Sequence, residues 1–171
     1  GISSLEQGHT TPGQGAILAD EMGLGKTLQT IALIATLLRQ NCYFSNIRPG
    51  TVEKVLIVCP LTLVVNWKRE FRKWIGRSSI GVLAVEGDGR KEVERFVSHR
   101  QYQVLILGYE RLRNCVQELS RAMPGVGLVV CDEGHRLKSK DTKTTKCFDL
   151  LPTRRRILLT GTPCLLYTSP S

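Results

Sequence analysis

The chain has 171 residues and a formal net charge of +9. That length suits about one domain, able to bury roughly 70% of its unfolded surface, and an ordinary apolar and charged balance argues against a disordered or fibrous chain. No apolar run approaches the roughly 20 residues needed to span a bilayer, because the longest, Val55 to Val65, is broken by Pro60 and Thr62. The basic excess favours polyanionic partners, although a plain soluble surface accounts for it equally well. The chain starts at Gly1 with no basic-then-apolar leader before its first strand-like run, and reads as an internal fragment.

The first strand-like run is Ala16–Ala19. It leads into Asp20-Glu21-Met22-Gly23-Leu24-Gly25-Lys26-Thr27, and a helical period follows over Lys26–Arg39. The usual phosphate-loop pattern wants glycine where this chain has Asp20. Even so, Gly23 and Gly25 let the backbone turn its N–H groups toward an anion. The following helix N-terminus adds its positive dipole end. Lys26 is placed to reach the β- and γ-phosphates, and Thr27 to offer a hydroxyl to Mg²⁺. A glycine-rich turn without ligand is the plain alternative, weakened by the strand before and the helix after.

After a loop at Asn41–Glu53, the run Val55–Cys59 is followed by helical spacing over Thr62–Ile75. On that helix Val64, Trp67, Phe71 and Trp74 share one face, read as core rather than as a base-stacking platform. Lys68, Arg69, Arg72 and Lys73 lie mostly elsewhere and read as a solvated face. Strand-like runs then recur at Ile80–Val85, Gln103–Leu107, Leu128–Cys131 and Arg156–Leu159. Helical stretches separate them at Arg90–His99, Tyr109–Met123 and Thr142–Leu150. Continuous apolar strands alternating with helices predict an α/β three-layer sandwich around a mostly parallel sheet. Ligands in such sheets bind beyond the carboxyl ends of the strands.

Two further strand ends carry polar groups. Asp132 and Glu133 close an apolar strand in "VVCDEGHRLKS". Adjacent acids there suit a metal ligand, Asp132, beside a base that orients and deprotonates water, Glu133. The plain alternative is an acidic turn with His135 as a structural hydrogen-bonder. "LLTGTP" closes the last strand, and Thr160, Gly161 and Thr162 read either as a plain turn or as a relay from the nucleotide site. Phosphate loop and acidic pair on one sheet together describe Mg²⁺–nucleoside triphosphate hydrolysis better than either alone. The six cysteines include no C-x-x-C pair, so no zinc site is expected. Cys59 and Cys131 read as small buried hydrophobes in a reducing compartment, cytosol or nucleus.

Taken together, Asp20–Thr27, "CPLTLVVNWKREF", "GYERLR", "DEGHRLKS" and "LTGTP" resemble motifs I, Ia, Ib, II and III of the SWI/SNF-type ATPases of helicase superfamily two, in order and at suitable spacing. D-E-G-H-R-L-K with N-W-K-x-E-F most resembles the Rad54-like recombination-repair branch, its B paralogue nearest. In that family the position of Asp20 is normally acidic, so the loop is of a different lineage and not damaged. The resemblance implies a RecA-like first motor lobe, over residues 15–163, of an ATP-driven nuclear translocase on duplex DNA. It implies action on nucleosomes or recombinase filaments, with no membrane partner.

The same resemblance implies that Lys26, Asp132 and Glu133 are catalytic and that Asp20 to Thr27 bind ATP. Thr27 and Asp132 hold Mg²⁺. Pro60, Thr62, Asn66, Tyr109 and Glu110 face DNA. His135, Thr160, Gly161 and Thr162 couple the nucleotide to the rest of the motor. Thr62 also suits a helix N-cap. Residues 1–14 stay unassigned, and residues 164–171, "CLLYTSPS", depart from the family pattern and read as an artefact of assembly. The upstream adenine-contacting segment and the second motor lobe are not among these residues. The alternatives are a lobe of an RNA helicase, or a non-catalytic ATP- or DNA-binding module.

Overall fold

The computed structural model describes residues 16–19, 23–39, 52–76, 80–133 and 142–160. Within them lies a six-stranded sheet of β1 (Ala16–Ala19), β2 (Lys54–Cys59), β3 (Gly81–Ala84), β4 (Tyr102–Gly108), β5 (Val126–Asp132) and β6 (Arg156–Thr160). The spatial order is β1-β6-β5-β2-β4-β3, and every pairing is parallel. Five helices connect the strands: α1 (Gly23–Arg39), α2 (Val64–Ile75), α3 (Arg90–Ser98), α4 (Tyr109–Leu119) and α5 (Thr142–Asp149). The expected α/β sandwich is therefore present, with a wholly parallel sheet.

Side-chain alternation along the central strands produces the layers. Val55, Ile57 and Cys59 of β2, Val104 and Ile106 of β4, and Leu128 and Val130 of β5 point to one face. There they meet Ile31, Ile34 and Leu38 of α1 and Val64, Trp67 and Phe71 of α2. Leu56, Val58, Leu105, Leu107, Val129 and Cys131 point to the other face. Their partners are Val93 and Phe96 of α3, Leu112 and Val116 of α4, and Cys147 and Phe148 of α5. Strands buried on both faces must be apolar throughout, which is why these segments read as unbroken runs rather than as alternating ones.

Some element ends differ from the sequence expectation. α1 starts at Gly23, so Lys26 and Thr27 lie near the start of a helix and not on a free loop. α4 stops at Leu119, short of Met123. Its chain tightens through i−3 bonds from Arg121 N–H to the Glu118 carbonyl and from Ala122 N–H to the Leu119 carbonyl. Pro124 keeps the helix from reaching Met123, since the residue before a proline disfavours helical backbone. The aromatic stripe of α2 is core at Val64, Trp67 and Phe71, but Trp74 is half exposed and donates to Glu70.

Gly81 marks a close approach at the start of edge strand β3. A Cβ built there would lie 2.1 Å from the backbone oxygen of Gln101. Gly81→Ala must displace backbone, and the expected cost is about 2 kcal/mol. In a domain of this size that lowers the thermal midpoint by about 4–8 °C. Gly87→Ala is the control, because no atom lies within 4 Å of its Cβ position. Thermal melts of the two variants check this, and equal midpoints would refute the contact.

Candidate active site

Strand register brings the chemistry-bearing ends together. Ala19 pairs with Thr160, Leu159 with Asp132, Cys131 with Val58, and Cys59 with Gly108. The carboxyl ends of β1, β6, β5, β2 and β4 therefore form one edge of the sheet, at strand steps of about 4.8 Å. The start of α1, the acidic pair, the exit of β2 and the start of α4 all open on it.

Lys26 is buried, and its ammonium donates to the backbone carbonyl of Thr160. Thr30 Oγ1 donates to the Lys26 carbonyl at 2.7 Å, one helical turn on. Of the phosphate-loop set, Gly25, Lys26 and Thr27 are fully described, and Gly23 and Leu24 only in their backbone. Asp20, Glu21, Met22, His135, Gly161 and Thr162 lie outside the described residues. Thr27 is half-buried in the first turns of α1, whose leading N–H groups have no partners within the helix.

Asp132 ends β5 in step with Leu128 and Val130, so its side chain faces the α1–α2 layer. There Trp67 Nε1 donates to Asp132 Oδ2 at 2.8 Å. From the next element over, the Tyr109 hydroxyl donates to the Asp132 backbone carbonyl at 2.7 Å. Burial pushes the Asp132 carboxyl above the usual range. The Trp67 N–H opposes this, the Glu133 carboxylate reinforces it, and the Glu133 backbone N–H and the Lys26 ammonium pull back down. A desolvated carboxylate next to a second one is the environment a cation relieves.

Glu133 has φ 57°, in the left-handed region that non-glycine residues rarely adopt. That conformation costs about 1–3 kcal/mol and clusters at functional positions. The Glu133 backbone N–H bonds to the Asp132 carboxylate beside it. Cys59 and Cys131 behave as expected of buried thiols. Burial pushes each up to about 12, with the Asp132 charge adding to the effect at Cys59. Both stay protonated and unreactive at neutral pH.

The β2 exit corrects one expectation. Pro60 opens a 3₁₀ turn over Leu61–Leu63, and Leu63 N–H bonds to the Pro60 carbonyl at 2.8 Å. Thr62 sits inside that turn and caps nothing, since the N-cap of α2 is Leu63, with no side-chain hydrogen bond. Thr62, Asn66 and Glu110 are exposed, and Pro60 and Tyr109 are half-buried. Gly108 lies against Leu61, so the β2 and β4 exits touch.

Sequence reasoning missed the polar role of Trp67, taken for core. A usable signal existed. Counting in twos from Leu128 aims Asp132 at α2, and Trp67 is the stripe member with an N–H to offer among the three that are buried. The SNF2-related domain model matches residues 3–165. The chain is 44% identical over 163 residues to the DNA repair and recombination protein RDH54 of Saccharomyces cerevisiae (strain YJM789), covering 87% of this chain and 18% of that protein. It is 49% identical over 149 residues to the DNA repair and recombination protein RAD54B of Gallus gallus, covering 87% and 16%. Among solved structures, the Sulfolobus solfataricus SWI2/SNF2 ATPase core in complex with dsDNA matches with a TM-score of 0.65 and 30% identity, over 87% of this chain and 28% of that one. The chain thus spans less than a fifth of the two repair proteins.

Proposed function

Since this chain belongs to the SNF2-related domain family, we propose that it forms the nucleotide-binding first lobe of a DNA-dependent ATPase that translocates on duplex DNA in homologous recombination repair. Nucleosomes or recombinase–DNA filaments are its proposed targets, in the nucleus. The carrying observation is the single sheet edge on which Lys26, Thr27, Asp132 and Glu133 meet, with the β2 and β4 exits beside them.

Each residue then has a role that its surroundings support. The Lys26 ammonium exchanges the Thr160 carbonyl for the β- and γ-phosphates of ATP. Gly23, Leu24 and Gly25 bring backbone N–H groups to the same phosphates, with Asp20, Glu21 and Met22 completing the loop. Thr27 and Asp132 are suited to Mg²⁺, which keeps several waters and takes only one or two protein carboxylates. When bound, the ion would neutralise charge on the phosphates. Glu133 accepts the proton of the attacking water and holds it in line. Pro60, Thr62, Asn66, Tyr109 and Glu110 present to the duplex. His135, Thr160, Gly161 and Thr162 relay the nucleotide state.

The relatives' names place them in DNA repair and recombination, and the matched archaeal core was solved with dsDNA. The test is ATP turnover by the full-length protein with and without duplex. Stimulation by duplex, with little by RNA, supports the motor. Turnover indifferent to nucleic acid refutes the motor, and no turnover under any condition favours a non-catalytic binding module. The 171 residues alone are expected to turn over slower by about 10³–10⁵, the usual worth of an arginine finger supplied from a second lobe.

A further inference from the structure

We propose that Trp67 and Tyr109 are positioning residues that tie the starts of α2 and α4, where both open on the sheet edge, to Asp132, so that a duplex seated on that edge is registered at the acidic pair. This rests on the duplex-stimulated ATPase reading above and adds the residues that carry the stimulation.

The connection is short. Trp67 belongs to α2, and its indole N–H reaches Asp132 Oδ2 at 2.8 Å. Tyr109 opens α4, and its hydroxyl reaches the Asp132 backbone carbonyl at 2.7 Å. The two donors hold different parts of one residue, the carboxylate's rotation and the end of the strand. Both arrive from elements that follow β2 and β4, which are hydrogen-bonded neighbours. Any tilt of α2 or α4 must therefore move, stretch or break one of these bonds.

The outer surface of α2 is suited to a polyanion, whereas α4 exposes Glu110 and Glu118 beside Arg113 and contributes only its start at the edge. Asn66, Arg69, Arg72 and Lys73 are exposed on α2, opposite the buried Trp67. Trp67 is 1% exposed, so its N–H has no water to fall back on if the carboxylate is withdrawn. A charge-assisted bond in a desolvated place is among the stronger of its kind and the more sensitive to geometry. Packing alone needs no indole here, since phenylalanine already serves as the next stripe member at Phe71. The N–H is what tryptophan adds.

The experiment uses Trp67→Phe and Tyr109→Phe in the full-length protein. Each keeps the ring and deletes one donor. The expected result is duplex-stimulated kcat reduced about tenfold or more in each variant, a larger fall than in basal turnover, with duplex affinity within about twofold of wild type for Trp67→Phe. In 5-fluorotryptophan-labelled protein without nucleotide, the ¹⁹F signal of Trp67, assigned by its disappearance in Trp67→Phe, is expected to move on duplex addition. Equal loss of basal and stimulated rates with a lowered thermal midpoint would mark a merely structural role and overturn the inference. So would an unmoved ¹⁹F signal at saturating duplex, read in the wild-type protein. Full stimulation retained in both variants overturns the inference while the motor reading stands. No stimulation in the wild type overturns both.

Discussion

Lys26→Ala is expected to remove ATP hydrolysis from the full-length protein, and to do so by loss of triphosphate binding. The ammonium sits in the first turns of α1 and donates to the carbonyl of Thr160, at the end of the strand next to β1. It is the buried cation at the sheet edge where phosphate is proposed to dock. Removing a preorganised charge aimed at phosphate costs on the order of 10²–10³ in turnover. The expected thermal cost is small but not zero. The sequence placed Lys26 on a loop outside the core, whereas it is buried in a helix. Alanine leaves the Thr160 carbonyl without that donor, worth about 1–3 kcal/mol, partly offset by removal of a desolvated charge and by alanine's helix propensity. Glu133→Gln is the contrasting variant. It keeps the left-handed backbone and the side-chain length, so ATP affinity should remain while turnover falls by about 10²–10⁴. Nucleotide titration and single-turnover rates separate the two. Equal losses of affinity in both variants would show the assigned roles to be wrong.

Lys54→Met is expected to destabilise the fold clearly, without touching the sheet edge that carries the chemistry. Lys54 opens β2 on the α3 side of the sheet and is fully buried. Its ammonium donates to the carbonyls of Phe96, His99 and Tyr102 and lies 4.6 Å from the Phe96 ring centroid. The first two are carbonyls at the end of α3, which lack helical partners and carry the negative end of the dipole. Methionine fills the volume and donates nothing. Carbonyls left unsatisfied cost about 1–3 kcal/mol each, partly offset by removal of a desolvated charge, so the expected net loss is about 2–4 kcal/mol, or a thermal midpoint lower by about 4–16 °C at this chain length. The pH dependence has a definite sign. Burial lowers the Lys54 ammonium from 10.5 to about 8, Glu53 pulling it up and Arg100 pushing it down. Between those values the unfolded chain holds more protons, so this residue makes the fold more stable as pH rises from 8 to 10.5, and contributes no slope below 8. The buried thiols act oppositely, since Cys59, Cys115 and Cys131 are raised from 9.0 to about 12, 11 and 12 and lose stability as pH rises past 9. Denaturant titrations of wild type and Lys54→Met across pH 7–10.5 isolate the lysine. A stability gap that does not widen above pH 8 would refute it.

The legible part of this molecule was what period and punctuation encode. Runs such as Val55–Cys59 and Leu128–Cys131 are apolar at every position because both faces are covered, and their ends fall close to where the structure puts them. Asp132 and Glu133 announced themselves because acids seldom end a buried strand without a purpose. What stayed hidden depends on contacts between residues far apart in sequence. Trp67 and Asp132 are 65 positions apart, and Lys54 and Phe96 are 42 apart. A lysine before an apolar run reads as a solvated flank, and nothing local says that three carbonyls will converge on it. Thr62 followed a local rule for capping, which the 3₁₀ turn started by Pro60 overrode. The left-handed backbone at Glu133 also has no local sign, since glutamate does not favour it.

The alternation along β5 has an implication for how this sequence tolerates insertions and deletions. Leu128, Val130 and Asp132 share one face of the sheet, and Val129 and Cys131 the other. Losing or gaining one residue between Gly127 and Cys131 would leave the strand as apolar as before, and a hydropathy profile would barely register it. Yet every side chain beyond the lesion would change faces, and Asp132 would turn from the Trp67 layer toward α4 and α5. A frame-preserving codon deletion here is therefore expected to be silent to composition and fatal to chemistry. A two-codon deletion would keep the parity and shorten the strand instead.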